Sequence, residues 1–201
     1  MNITRNYISE LHAVIDRLSI IDIEKVIEAL HKARLNRNTI FVMGNGGSAS
    51  TATHLACDLG KNTRQKGLPN FRLMGLADNM AVFSALANDE GYENVFVQQL
   101  ESFVQKDDIV IGISASGKSP NVLKAIKYAN KAGAISIGFT GFDGGKLASM
   151  VKIHVNVPCS CIEQVEDVHL MLEHLITTAL RERALALDPE LLVENEEVRI
   201  L

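Results

Sequence analysis

Five short apolar runs, each separated from the next by a stretch that reads as helix, set the strongest constraint on this chain. They are "TIFVM" (39–43), "FRLMGL" (71–76), "DIVIGIS" (108–114), "AISIGFT" (134–140) and "KIHVNV" (152–157). The runs show no apolar–polar alternation, which is the pattern of strands buried on both faces. Helical stretches are expected at 49–62, 79–87, 92–105, 121–131 and 144–149. Strand alternating with helix at this spacing requires right-handed βαβ crossovers around a parallel sheet. The expected fold is therefore a three-layer αβα sandwich with a five-stranded parallel sheet. Residues 3–35 precede it as two helices broken near "LSIID", where Ser19 or Asp22 caps the second. After Pro158 a long helix is expected from about Ile162 to Ala186, and Pro189 opens an acidic tail that is a short helix, an arm or loose chain. The expectation is a single domain: helical segment 1–37, α/β core 38–187 and tail 188–201.

Length and charge narrow the function classes. A chain of 201 residues suits one domain with a full core. A net charge of −4 offers no general attraction to nucleic acid or an anionic membrane, so any anion must be caught by a local site. The first residues carry charges among their apolar positions and read as an amphipathic helix rather than a signal peptide. No apolar run approaches the roughly 20 residues that cross a bilayer. The three cysteines, Cys57, Cys159 and Cys161, lack zinc-finger spacing. They suit reduced thiols in a cytoplasm, with Cys57 expected as a small buried residue.

In an open parallel sheet, ligands bind beyond the carboxyl ends of the strands. Two loops stand out there. "GNGGSAS" (44–50) follows the first strand; it lacks the Gly-Lys-Ser/Thr ending of a P-loop, and Ala49 takes the third glycine position of the dinucleotide fingerprint. It reads as a tight turn or as a close approach to a ligand. "SASGKSP" (114–120) follows the third strand. Ser119 is placed to cap a helix with Pro120 at its first position, and Ser114, Ser116 and Ser119 add hydroxyls beside free helix N–H groups. That combination suits a phosphate ester without many Lys or Arg.

These two loops, with "HLACDLG", "ANDEGYENVF", "GFTGFDGGKLA" and "VEDVHLMLEHLI" in order, resemble the SIS (sugar isomerase) domain, flavodoxin-like in fold, and within it the phosphoheptose isomerases. The resemblance spans nearly the whole chain. It implies a phosphate cradle at Ser114, Ala115, Ser116 and Ser119, with sugar phosphate contacts from Asn45, Gly46, Gly47 and Ser48. It also implies sugar contacts at Asn88 and Asp89, and Glu163 is placed with the substrate-binding residues.

His54 and Asp58 stand four apart and share one face of a helix. Downstream, Glu163, Glu166, His169 and His174 lie on the long last helix. The resemblance implies a divalent metal, commonly zinc, at His54, Asp58, Glu166 and His174. Asp58 stands where the family has Glu, and Glu166 where it has Gln. On one helix Glu166 and His174 would be about 12 Å apart along the axis and about 80° apart around it. A shared metal therefore needs long reach, a late helix start or a second subunit. The resemblance further implies a homotetramer with sites at subunit interfaces.

The implied reaction is aldose–ketose isomerisation of sedoheptulose 7-phosphate to D-glycero-D-manno-heptose 7-phosphate through an enediol, for nucleotide-activated heptose. Asp58 would serve as base and His174 as acid, with Glu166 as alternative base. Two other readings stay open: a non-catalytic SIS protein that binds a phosphosugar or a replication partner, and an isomerase of another sugar phosphate.

Overall fold

Apolar residues on successive strand positions point to opposite faces of the sheet, and both faces are covered here. In the computed structural model, which describes residues 2–186, five parallel strands form one sheet: β1 (Thr39–Met43), β2 (Arg72–Gly75), β3 (Ile109–Ser114), β4 (Ile135–Thr140) and β5 (Ile153–Asn156). Their order is β2-β1-β3-β4-β5, with Val42 opposite both Gly75 and Ile111. Ile40 and Val42 enter one apolar cluster, and Phe41 and Met43 the other.

The helices divide accordingly. One layer holds α1 (Ile3–Ile15), α2 (Ile20–Leu35), α3 (Gly47–Lys61) and α8 (Ile162–Ala186), which contribute Val14, Leu30, Leu55 and Leu172 to the first cluster. The opposite layer holds α4 (Met80–Asp89), α5 (Val97–Phe103), α6 (Pro120–Lys131) and α7 (Gly145–Met150), with Leu100, Ile126 and Leu147 in the second. This is the expected three-layer sandwich. Ser19 caps α2, accepting the Asp22 amide at 3.3 Å. Its flanking break near Leu18 lets α1 and α2 pack separately.

Two expectations are corrected. The stretch 92–105 is not one helix but a 3-10 turn, Tyr92–Asn94, followed by α5. Val95 and Phe96, both fully buried, turn the chain inward between them. Cys57 is exposed rather than buried, because Leu55 and Leu59 take the core-facing side of α3. The acidic tail lies outside the described residues.

The strand order reverses between β1 and β3. That switch point is where an open α/β sheet leaves a crevice at its carboxyl edge. The loops 44–46 and 115–119 both emerge there.

Candidate functional site

Two helices begin at this crevice without side-chain caps. The N-cap of α3 is Gly46 and that of α6 is Ser119, and neither supplies a capping hydrogen bond. The expected Ser119 cap is thus corrected: its Oγ lies 3.0 Å from Ser114 Oγ instead. On α6 Pro120 has no N–H and Asn121 Oδ1 accepts the Val122 amide at 2.9 Å, so among the described residues the Gly47 and Ser48 amides of α3 and the Asn121 amide of α6 are left for another acceptor. Ser114 is buried and Ser116 exposed, with Ser116 Oγ accepting the Lys118 amide at 3.3 Å; Ala115 is buried between them.

The glycine turn has a mixed explanation. Gly46 has φ +56°, and a Cβ there would meet nothing within 4 Å, so this position is open toward the crevice. Gly47 is bare for a different reason. A Cβ there would strike the Glu166 carboxylate on α8. Ser48 is buried in the first turn of α3. Asn45 exchanges side-chain hydrogen bonds with Asn121, at 3.0 and 2.8 Å, and accepts the Tyr92 hydroxyl at 2.9 Å. These bonds tie the glycine turn to α6 and to the segment after α4. Asn88 and Asp89 end α4, exposed, with Asn88 Nδ2 donating to Asp89 Oδ1 at 2.7 Å.

Two turns further along α3 stand the titratable groups. His54 and His174 meet edge to face, ring centroids 4.9 Å apart, within a single chain. Around them one ligand atom each from His54, Asp58, Glu173 and His174 lies within 4.8 Å of the others. The expected member Glu166 is not in this group, and Glu173 is. The register of α3 against α8 is the cause: the Gly47–Glu166 contact fixes where the helices cross, and His54 lies seven residues on. Seven residues of helix rise about 10 Å. Sequence reasoning missed Glu173 because it follows Glu166 by two turns on nearly the same helix stripe, and only packing chooses between them.

Burial separates the members. Asp58 is 14% exposed and Glu173 2%, against 41% for His54 and 53% for His174. Burial pushes the Glu173 carboxyl above its ordinary range; His174 and His54 oppose the shift, and Asp58 adds to it. Glu173 Oε1 accepts the Thr177 hydroxyl at 3.2 Å, while its buried Oε2 has no hydrogen-bond partner. Two imidazoles, two carboxylates and one orphaned buried oxygen suit a divalent cation.

The remaining candidates serve structure or stand apart. His169 is buried, lies 3.1 Å from the Thr140 carbonyl through Nε2, and packs on Phe139. Glu163 is exposed in the first turn of α8, 3.2 Å from the Cys161 thiol, and its carboxyl is held below the usual range mainly by a backbone hydrogen bond. Among the described residues no hydrogen bond joins it to either loop. Asn121 and Tyr92, not foreseen from the sequence, hold Asn45 in place. An apolar hollow of about 800 Å³ opens at the opposite edge of the sheet, beside Ile109, Ile135 and Ile153, and contains none of these groups.

The family model of the SIS domain matches residues 6–141, which is more than half of the chain. The chain belongs to the SIS domain family. Within that family it belongs with the phosphoheptose isomerases. It is 38% identical to the phosphoheptose isomerase of Geotalea daltonii over 163 residues, 80% of this chain and 83% of the relative. The structure of a phosphoheptose isomerase from Neisseria gonorrhoeae superposes with a TM-score of 0.82 at 26% identity, covering 89% of this chain and 97% of the other. One from Francisella tularensis gives 0.80 at 25% identity, covering 90% and 100%. SIS-domain membership explains why both loops converge on one crevice.

Proposed function

We propose that the protein isomerises sedoheptulose 7-phosphate to D-glycero-D-manno-heptose 7-phosphate, supplying nucleotide-activated heptose synthesis. The observation that carries this reading is the meeting of His54, Asp58 and His174 two turns from the open helix start at Gly46.

The phosphate sits between the α3 and α6 N-termini, where free N–H groups and helix dipoles favour an anion. Ser114, Ser116 and Ser119 donate hydroxyls, the Ala115 backbone borders them, and Asn45, Gly46, Gly47 and Ser48 line the other side. The open-chain sugar then extends toward α8, with Asn88, Asp89 and Glu163 as candidates for its hydroxyls. Asp58 takes the proton from C1 of the ketose, and His174 protonates the oxygen on C2, giving the enediol. Return of a proton to C2, with loss of the O1 proton, gives the aldose. Glu166, over the glycine turn, is the alternative base.

A divalent metal, most simply zinc, would be held by His54, Asp58, His174 and a carboxylate of α8. Bound there, it would supply Lewis-acid polarisation of the sugar carbonyl. We place the enzyme in the cytoplasm, in keeping with three free thiols, and as a homotetramer with active sites near subunit contacts. Among the described residues no helix is long and apolar enough to cross a membrane.

The test is turnover of sedoheptulose 7-phosphate, followed by NMR with and without added zinc. His174→Ala should lower kcat by roughly 10²–10⁴-fold, the range for a lost general acid, with a smaller change in KM. Wild-type protein that leaves the ketose unchanged in both conditions would refute the reading.

A further inference from the structure

We infer that Glu173, and not Glu166, is the carboxylate α8 gives to the metal, so that the ligands are His54, Asp58, Glu173 and His174. This rests on the reading that the site binds a divalent cation, but not on which sugar the enzyme uses.

Helix register is the first ground. The Glu166 carboxylate occupies the space a Gly47 side chain would take. From that contact α3 reaches His54 in seven residues, and α8 reaches Glu173 in seven. Both helices have therefore risen about 10 Å together. Glu173 arrives beside His54, while Glu166 is left two turns behind with the glycine turn.

Burial is the second ground. The Glu173 side chain is 2% exposed, and its Oε2, without a hydrogen-bond partner, lies 3.4 Å from His174 Nε2. Asp58 contributes a second acid in the same 4.8 Å group, itself only 14% exposed. Two poorly hydrated carboxylates with a free oxygen between two imidazoles are costly unless a cation joins them. A dication would be balanced by the two acids and completed by two ring nitrogens. Glu166 is then free to accept a sugar hydroxyl beside Gly46, where the substrate approaches.

The test uses the full chain loaded with Co²⁺ as a spectroscopic probe. Wild type, Glu173→Gln and Glu166→Gln are compared by chelator competition, by the visible Co²⁺ absorption bands, and by the Tm difference between metal-free and loaded protein. Glu173→Gln should weaken Co²⁺ binding by at least about 10-fold and shift the bands, since even outer-shell changes reach that size. Glu166→Gln should retain the wild-type affinity, bands and Tm difference.

Weakened binding or shifted bands in Glu166→Gln would overturn the assignment, whether or not Glu173→Gln behaves likewise. So would an unchanged spectrum in Glu173→Gln, or a wild-type protein that takes up no Co²⁺. Should Glu173→Gln fail to fold, Glu173→Asp shortens the same ligand by one methylene and must shift the bands. Ketose turnover is assayed separately on the same samples. Intact Co²⁺ binding without turnover removes the isomerase reading and leaves the ligand assignment standing.

Discussion

Ser116 is exposed, and among the described residues its Oγ accepts only a long 3.3 Å bond from the Lys118 amide. Such a hydroxyl contributes little to stability, so its effect should surface in substrate binding. Ser116→Ala should raise KM by about 10- to 100-fold, the size of a hydrogen bond to a charged group, and leave Tm nearly unchanged. Steady-state kinetics beside a thermal melt checks this, and a loss confined to kcat would argue against phosphate contact. His169 is the opposite case, buried at 2% exposure and tied to the Thr140 carbonyl. Burial lowers its pKa from 6.5 to about 4. The unfolded chain therefore takes up a proton below pH 6.5 that the folded protein refuses. Stability should be unaffected by this group above pH 6.5, fall as pH drops toward 4, and level off below. Between pH 7 and 5 the loss should be about 2 kcal/mol. Urea titrations across that window should show a shallower fall for His169→Phe. An equally steep fall would assign the effect elsewhere.

At the level of elements, the loop after β3 is locked by the loop after β4. The Leu147 amide donates to the Gly117 carbonyl at 3.0 Å, and the Gly141 amide to the Ala115 carbonyl at 2.8 Å. Gly117 has φ +61°, and a Cβ there would collide with the Gly144 carbonyl oxygen, which is backbone and cannot swing aside. Gly117→Ala should then cost roughly 2–5 kcal/mol, from backbone strain and overpacking together. It should also loosen Ser114, Ser116 and Ser119 as a group. Chemical denaturation reads the first effect and inorganic phosphate binding the second; wild-type values in both would show that the two loops are not coupled. The strands and the long last helix were legible in the sequence, because unalternated apolar runs and a long uninterrupted helical stretch after Pro158 are local signals. The metal-ready group was half legible: His54 and Asp58 announce a shared face, and His174 was named. What stayed hidden depends on contacts between elements. The pitch of one helix puts Glu166 and Glu173 on one stripe, and the packing of α8 against α3, with Glu166 over Gly47, decides which reaches His54. The Ser114–Ser119 pair is a similar case, since a capping pattern does not reveal that a neighbouring hydroxyl takes the oxygen first.

For the whole molecule, the uneven covering of the sheet is informative. Helix α4 is largely apolar, yet it buries none of its residues; Met80 is 66% and Val82 39% exposed. Scattered apolar residues are ordinary on a surface, but α4 packs only its Phe83, Leu86 and Ala87 side against the second cluster and leaves Met80 and Val82 uncovered among the described residues. The same helix ends in Asn88 and Asp89 and leads through Gly91 to Tyr92, whose hydroxyl holds Asn45 in the glycine turn. Covering α4 with a second copy of the chain would therefore brace the crevice from outside, which links assembly to catalysis in the proposed tetramer. Met80→Asp with Val82→Asp should shift the protein toward smaller species in sedimentation velocity while leaving its circular dichroism intact. Turnover should fall with the assembled fraction and recover as protein concentration rises, because burying each new carboxylate opposes association by a few kcal/mol. A double variant that sediments like wild type would remove α4 from the interface. One that dissociates yet keeps full activity would show that each chain builds its crevice alone.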